Sequence, residues 1–389
     1  MALLNKFNTK GIKLLQVLPH LGSGGLVSGA IEIANYVQSK GGLCVVLSSG
    51  GYREKDLRRT KCQLEFLPVD SKNPITILKN IKKIIEIVNK YKINIIHARS
   101  RAPAWSCYLA SKKINIAFVT TFHGTYGLEN FFKKKYNSVM LKSDAVIAIS
   151  EFIKQHINQK YNRHKNIFVI PRGVDEKIFS PRRVSQQRVV NLAKKLRIAE
   201  FRYNILMPGR LTEWKGHKYA IHALALLKEK NVSLMIVGDK QNRTNYKMSL
   251  QKLAVSLNVQ DKVLFIENTR DMPAYLMLAD LVLSCSTKPE AFGRVILETQ
   301  AMGKPIIAFS HGGAVELIKT NHNGILSPVK DITKLSNNIS KVLNLSLQER
   351  RKLSNKSISK VKKNYLTKYM CQNTVNVYRK LVVFDKKNK

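Results

Sequence analysis

A chain of 389 residues exceeds what one hydrophobic core ordinarily organises, and a hydrophobic share of 44% supplies enough material for two. Charged residues make up 24%, with 20 Gly and 11 Pro, so collagen-like repeats and wholesale disorder are excluded. The 67 Lys and Arg set against 25 Asp and Glu leave a net charge of +42, which either points to an anionic membrane, nucleic acid or acidic substrate, or reflects a composition rich in Lys throughout.

Short β-rich runs alternate with longer amphipathic stretches, the pattern of an α/β chain with parallel sheets. In the first half, strands are predicted at residues 13–18, 43–47, 93–97, 117–122 and 145–149, with apolar positions recurring at helical spacing over 77–90. Residues 171–187 lose periodicity and gather turn formers, which places a hinge there. Strand and helix then alternate again, with strands at 204–207, 233–237, 263–266, 281–284 and 305–308. The expected architecture is two doubly wound, Rossmann-like domains, residues 1–178 and 179–364. Residues 365–389 form a C-terminal helix that docks on the first domain through a stripe including Met370, Val375 and Tyr378.

No apolar run is long enough to span a bilayer, and the first residues lack the core and cleavage site of a secretory signal. Five cysteines, widely spaced and without a CxxC pair, read as reduced thiols. A cytoplasmic protein is expected.

Three stretches carry residues suited to chemistry. After the first strand, Gly22, Gly24 and Gly25 allow backbone amides at a helix start to approach an anion or a sugar, although a plain tight turn explains them equally. A dinucleotide site is disfavoured, because Val27 stands where a third small residue belongs and no acid ends the second strand. After the strand at 204–207, Arg210 and Lys215 flank glycines at a strand's carboxyl end, where a planar fork and a point charge suit a diphosphate. The alternative is two solvated loop cations. After the strand at 281–284, Glu290 lies in the loop, Gly293 marks a helix start and Glu298 falls inside that helix. Free amides there favour phosphate, and the two carboxylates suit sugar hydroxyls, against the alternative of an exposed helix acid.

Glu290 and Glu298, with Ala291-Phe292-Gly293, Gly303-Lys304-Pro305 and His311-Gly312-Gly313, resemble the signature of the retaining GT-B glycosyltransferases of family four. Pro208-Gly209-Arg210 with Lys215-Gly216, and Pro171-Arg172-Gly173-Val174-Asp175 at the hinge, match that family in order and spacing, over nearly the whole chain. The resemblance implies two domains facing each other across a cleft and a nucleotide-sugar donor. It puts Arg210 and Lys215 on the diphosphate, Glu298 on the ribose, Glu290 near the transferred sugar, and the amides of Phe292 and Gly293 in the donor clasp. It also brings Gly24 and Gly25 to the donor and His123 to the anomeric centre. Two departures stand out: Arg172 where Asn is usual, and Thr299-Gln300-Ala301 where Ala-Met-Ala is typical.

A narrower likeness, in residues 97–106 and 122–126, is to the lipopolysaccharide-core mannosyltransferases of alphaproteobacteria. Arg99 and Arg101 leave a strand's carboxyl end there, and suit a carboxylate or phosphate on the acceptor unless they are a plain surface pair. The implied reaction moves a hexosyl unit, mannosyl by this likeness, to a lipopolysaccharide-core or other lipid-linked acceptor. No Asp-x-Asp pair occurs, so no metal and no other cofactor is expected. Phe131 and Phe132 beside Lys133, Lys134 and Lys135 suit a peripheral contact with an anionic membrane surface, or else are core residues beside a solvated edge. Two competing readings remain. A nucleotide-sugar epimerase would keep the donor site, whereas a nucleic-acid-binding protein would use the charge but lacks any recognised nucleic-acid motif.

Overall fold

The computed structural model describes residues 8–22, 24–59, 61–127, 130–161, 166–198, 201–229, 231–238, 244–267, 269 and 271–387, the last five by backbone alone. The chain forms two compact units, residues 1–173 with 367–389 and residues 174–366. These divisions replace the boundaries expected at 178 and 364.

The first unit runs β1 (Lys13–Val17), α1 (Gly25–Ser39), β2 (Leu43–Ser48), α2 (Glu54–Arg58), β3 (Gln63–Phe66), α3 (Pro74–Tyr91) and β4 (Ile95–Ala98). It continues with α4 (Arg101–Ile114), β5 (Ala117–Phe122), α5 (Phe131–Ser138), β6 (Ala145–Ala148), α6 (Glu151–Tyr161) and β7 (Ile167–Val169). Its strands pair in parallel in the order β3-β2-β1-β4-β5-β6-β7. The central strands are buried along nearly their whole length because helices cover both faces of the sheet. The order reverses between β1 and β4, and ligands of such sheets bind outside the carboxyl ends at that reversal.

The second unit runs α7 (Gln186–Leu196), β8 (Tyr203–Pro208), α8 (His217–Ala225), β9 (Val232–Val237), α9 (Thr244–Ser256), β10 (Val263–Ile266), α10 (Met272–Leu278) and β11 (Leu281–Ser284). Then follow α11 (Arg294–Ala301), β12 (Ile306–Phe309), α12 (Ala314–Leu317), β13 (Ile325–Ser327), α13 (Ile332–Leu343) and α14 (Leu347–Asn364). This sheet is also parallel, in the order β10-β9-β8-β11-β12-β13, and reverses between β8 and β11. The loops after β8 and β11 are those that carry Arg210, Lys215 and Glu290.

The final helix, α15 (Thr367–Lys387), belongs to the first unit, where Met370, Cys371, Val375, Val377 and Tyr378 are buried in the core with α1. The hydroxyl of Tyr378 lies 2.6 Å from His97 Nδ1 on β4, tying the end of the chain to the central sheet.

Candidate functional site

In the second unit a glycine sets the geometry. Gly216 adopts φ +77°, and a Cβ there would fall 1.9 Å from the Cys285 carbonyl oxygen, so the turn after β8 presses directly on the end of β11. Thr287 N donates to Trp214 O at 2.7 Å and locks the two loops together. The result brings Lys215 Nζ to 2.5 Å from Glu290 Oε1. Ser286 Oγ donates to the same carboxylate, and His311 Nε2 lies 2.6 Å from the Ser286 carbonyl, to which it donates. Burial pushes the Glu290 carboxyl up, but Lys215, Ser286 and His311 outweigh it and hold the group below the usual range.

Behind Glu290 the backbone is drawn in by Gly312 and Gly313: Gly313 N donates to Glu290 O at 2.8 Å, and a Cβ on Gly313 would meet Phe292 O at 2.3 Å. Gly293, at φ +102°, caps α11, whose first-turn amides lack intrahelical acceptors. Phe292 is buried, its ring 6.3 Å from that of Tyr365. Glu298 lies one turn beyond Arg294 and pairs with it at 3.0 Å, with its side chain only 16% exposed. The alternative of an exposed helix acid is therefore wrong. Burial raises its carboxyl, and Arg294 opposes that rise. Arg210 is exposed, while Lys215 Nζ also sits 4.6 Å above the Trp214 ring. The two loops thus place an exposed guanidinium, an ammonium and the first turn of a helix on one unit, an arrangement suited to a diphosphate.

In the first unit Gly24, at φ +120°, caps α1, which begins at Gly25, and the space about its missing side chain is open. His123 follows β5. Its Nδ1 lies 2.7 Å from Arg172 Nη2, and its buried Nε2 has no hydrogen-bond partner among the described residues. Burial, then Arg172, Arg99 and His97, keep the imidazole far below its usual pKa. Arg101 donates to Asn137 Oδ1 at 3.0 Å and stacks 4.3 Å above the Tyr126 ring, half-buried.

Arg99 is a correction. It was expected to face an acceptor, but it is 1% exposed and both Nε and Nη2 donate to Gln16 Oε1 on β1. Residues two apart in extended chain share a face, so Arg99 falls on the side of His97, which α15 covers. Phe131 and Phe132 are 71% and 79% exposed, which removes the alternative that they are core residues. Sequence reasoning gave no role to Ser286, for which there was no signal, or to His311, which lay within a noted motif.

Residues 23–177 match the family model described as Glycosyltransferase Family 4, and residues 190–360 that of Glycosyl transferases group 1. A crystal structure of a glycosyltransferase from Rickettsia africae ESF-5 is 36% identical, with TM-score 0.90, and the match covers 96% of this chain and 99% of that one. Anabaena Alr3699/HepE in complex with UDP and glucose shares the fold at 23% identity and TM-score 0.85, over 95% of this chain and all of that one. The N-acetyl-alpha-D-glucosaminyl L-malate synthase of Bacillus anthracis is 28% identical over 64% of this chain and 65% of its own length. Two Rossmann-like domains of this kind define the GT-B fold. The chain belongs to glycosyltransferase family 4, the group 1 glycosyl transferases.

Proposed function

We propose that the protein transfers a hexosyl unit, mannosyl on the likeness of residues 97–106, from a nucleotide sugar to a lipid-linked glycan such as a lipopolysaccharide core, with retention and without a metal. The observation that carries the donor assignment is the loop set of the second unit. There Lys215 and Glu290 are paired at 2.5 Å beside the Gly293 start of α11, with Arg210 exposed nearby in sequence. In this reading the bond between the anomeric carbon and the diphosphate oxygen breaks, and Arg210, Lys215 and the α11 amides stabilise the leaving charge. The acceptor hydroxyl attacks the same face and its proton passes to the departing phosphate. Glu298 holds the ribose and Glu290 a hydroxyl of the sugar. The cations supply the charge that a divalent ion otherwise would, which supports independence from metal.

Gly24, Gly25, His123 and Arg101 give the first unit its share in holding sugar and acceptor. Among the described residues no helix is long and apolar enough to cross a membrane. A peripheral site on the inner face of the cytoplasmic membrane fits the net charge of +42 and the exposed aromatic pair of α5.

The test is direct. The purified chain is offered GDP- and UDP-hexoses with lipid-linked core acceptors, in the presence and absence of excess chelator, and the product's anomeric configuration is read by NMR. Transfer with an inverted product, or transfer abolished by chelator and restored by magnesium, would overturn the corresponding part. Turnover of the donor to an isomeric nucleotide sugar without any acceptor would instead identify an epimerase.

A further inference from the structure

Arg172 departs from the Asn expected at its position, and its surroundings give the departure a purpose. The residue is 6% exposed. Its Nη2 lies 2.7 Å from His123 Nδ1 and its Nη1 3.5 Å from Met370 Sδ on α15. On α1, Gly29 makes the room: a Cβ there would stand 2.0 Å from Arg172 Nη1 and 2.7 Å from Cζ. The guanidinium is therefore fixed from three elements.

A guanidinium carries only donors and stays protonated, so the contact with Nδ1 has a single polarity: Arg172 donates and Nδ1 accepts. The one remaining proton of the neutral ring must then sit on Nε2, the buried atom that has no partner among the described residues. An Asn amide at 172 would offer either its oxygen or its nitrogen, and would leave the tautomer open.

We propose that Arg172 is a positioning residue that holds His123 as the neutral Nε2–H tautomer, so that the imidazole presents a hydrogen-bond donor and is unable to serve as a base. The partner it awaits is an acceptor oxygen such as a sugar hydroxyl, a role that rests on the reading of His123 as a contact to the transferred sugar. The charged and titratable groups around the ring are Arg172, Arg99 and His97, with Tyr126 hydrogen-bonded to the His123 backbone. The two cations and burial all oppose a second proton on the ring, and the Tyr126 phenol, itself pushed up to about 12, adds no charge to offset them.

The experiment is long-range proton–nitrogen NMR on the full chain labelled with nitrogen-15 histidine, His123 being assigned by its disappearance in His123→Gln. The wild type should show protonated Nε2 and bare Nδ1, without titration across about pH 5 to 8, where an ordinary histidine changes charge. Arg172→Met should mix the tautomers and bring titration toward that window, and Arg172→Lys, which keeps a donor, should restore the wild-type pattern. Should Arg172→Met fail to fold, Gly29→Ala, whose methyl displaces the guanidinium, should reproduce its spectrum. A wild-type ring protonated on Nδ1 or titrating normally would overturn the proposal, as would variants in which the pattern does not change. Because this readout needs no donor, absence of transferase activity would remove the proposed function while leaving the tautomer result standing.

Discussion

Lys215 neutralises the half-buried Glu290 carboxylate in the resting protein and, in the proposed reaction, a leaving diphosphate, and the two tasks separate by mutation. Lys215→Ala leaves Glu290 without its cation, at a cost of about 1–3 kcal/mol in urea unfolding. It should also lower turnover about a hundredfold. The double variant Lys215→Ala with Glu290→Gln should recover the stability without recovering the rate of donor cleavage. Recovery of the rate as well would mean that Lys215 acts through Glu290 alone. The pH dependence has a definite sign. The Glu290 carboxyl is lowered in the folded state, so its stabilisation is complete above the unfolded value of about 4.3 and is lost as pH falls through the folded one. The stability difference between wild type and Glu290→Gln should be flat at neutral pH and shrink below about pH 4; growth of the difference in acid would contradict the assignment. Glu298 has the opposite sign, because its raised carboxyl contributes below the ordinary value and loses that contribution as pH rises through the folded one.

At the scale of the element, α5 combines local order with an apolar surface that nothing within its unit buries. Asn130 caps it by accepting from Lys133 N at 2.8 Å, and the rings of Phe131 and Phe132 stand edge to face, 6.0 Å apart. Replacing both with Ser should change stability by no more than about 0.5 kcal/mol, since neither is packed. The same change should weaken sedimentation with anionic vesicles, as should raising the salt through the physiological range, while donor hydrolysis persists. Unaltered vesicle binding would place the membrane contact on another surface. All ten strands anticipated from β-rich runs are present, as is the helix over 77–90, within α3. β3 escaped because Gln63 and Glu65 interrupt its apolar residues on a half-exposed edge, and β7 and β13 because three residues are too few to show a period.

At the scale of the whole molecule, the last element completes the first unit. α15 contributes Met370, Cys371, Val375, Val377 and Tyr378 to its core, and burying apolar side chains at about 1.5–3 kcal/mol each gives a sum comparable to the stability of a domain. A chain ending at Leu366 should therefore lose the first unit's cooperative unfolding in calorimetry and keep that of residues 174–366. Retention of both transitions would show α15 to be dispensable. Glycine turns, apolar runs and the spacing of Glu290 and Glu298 are local in the chain, and they determined the α/β class, the two-domain organisation and which residues stand in the loops after β8 and β11. What lay beyond the sequence was the direction of long side chains whose partners are remote. Arg99 turns inward to Gln16, 83 positions away, and Arg172 reaches His123 across 49 because Gly29 leaves it room. Pairings of that kind are set by which strands and helices become neighbours, and only the folded sheet order decides that.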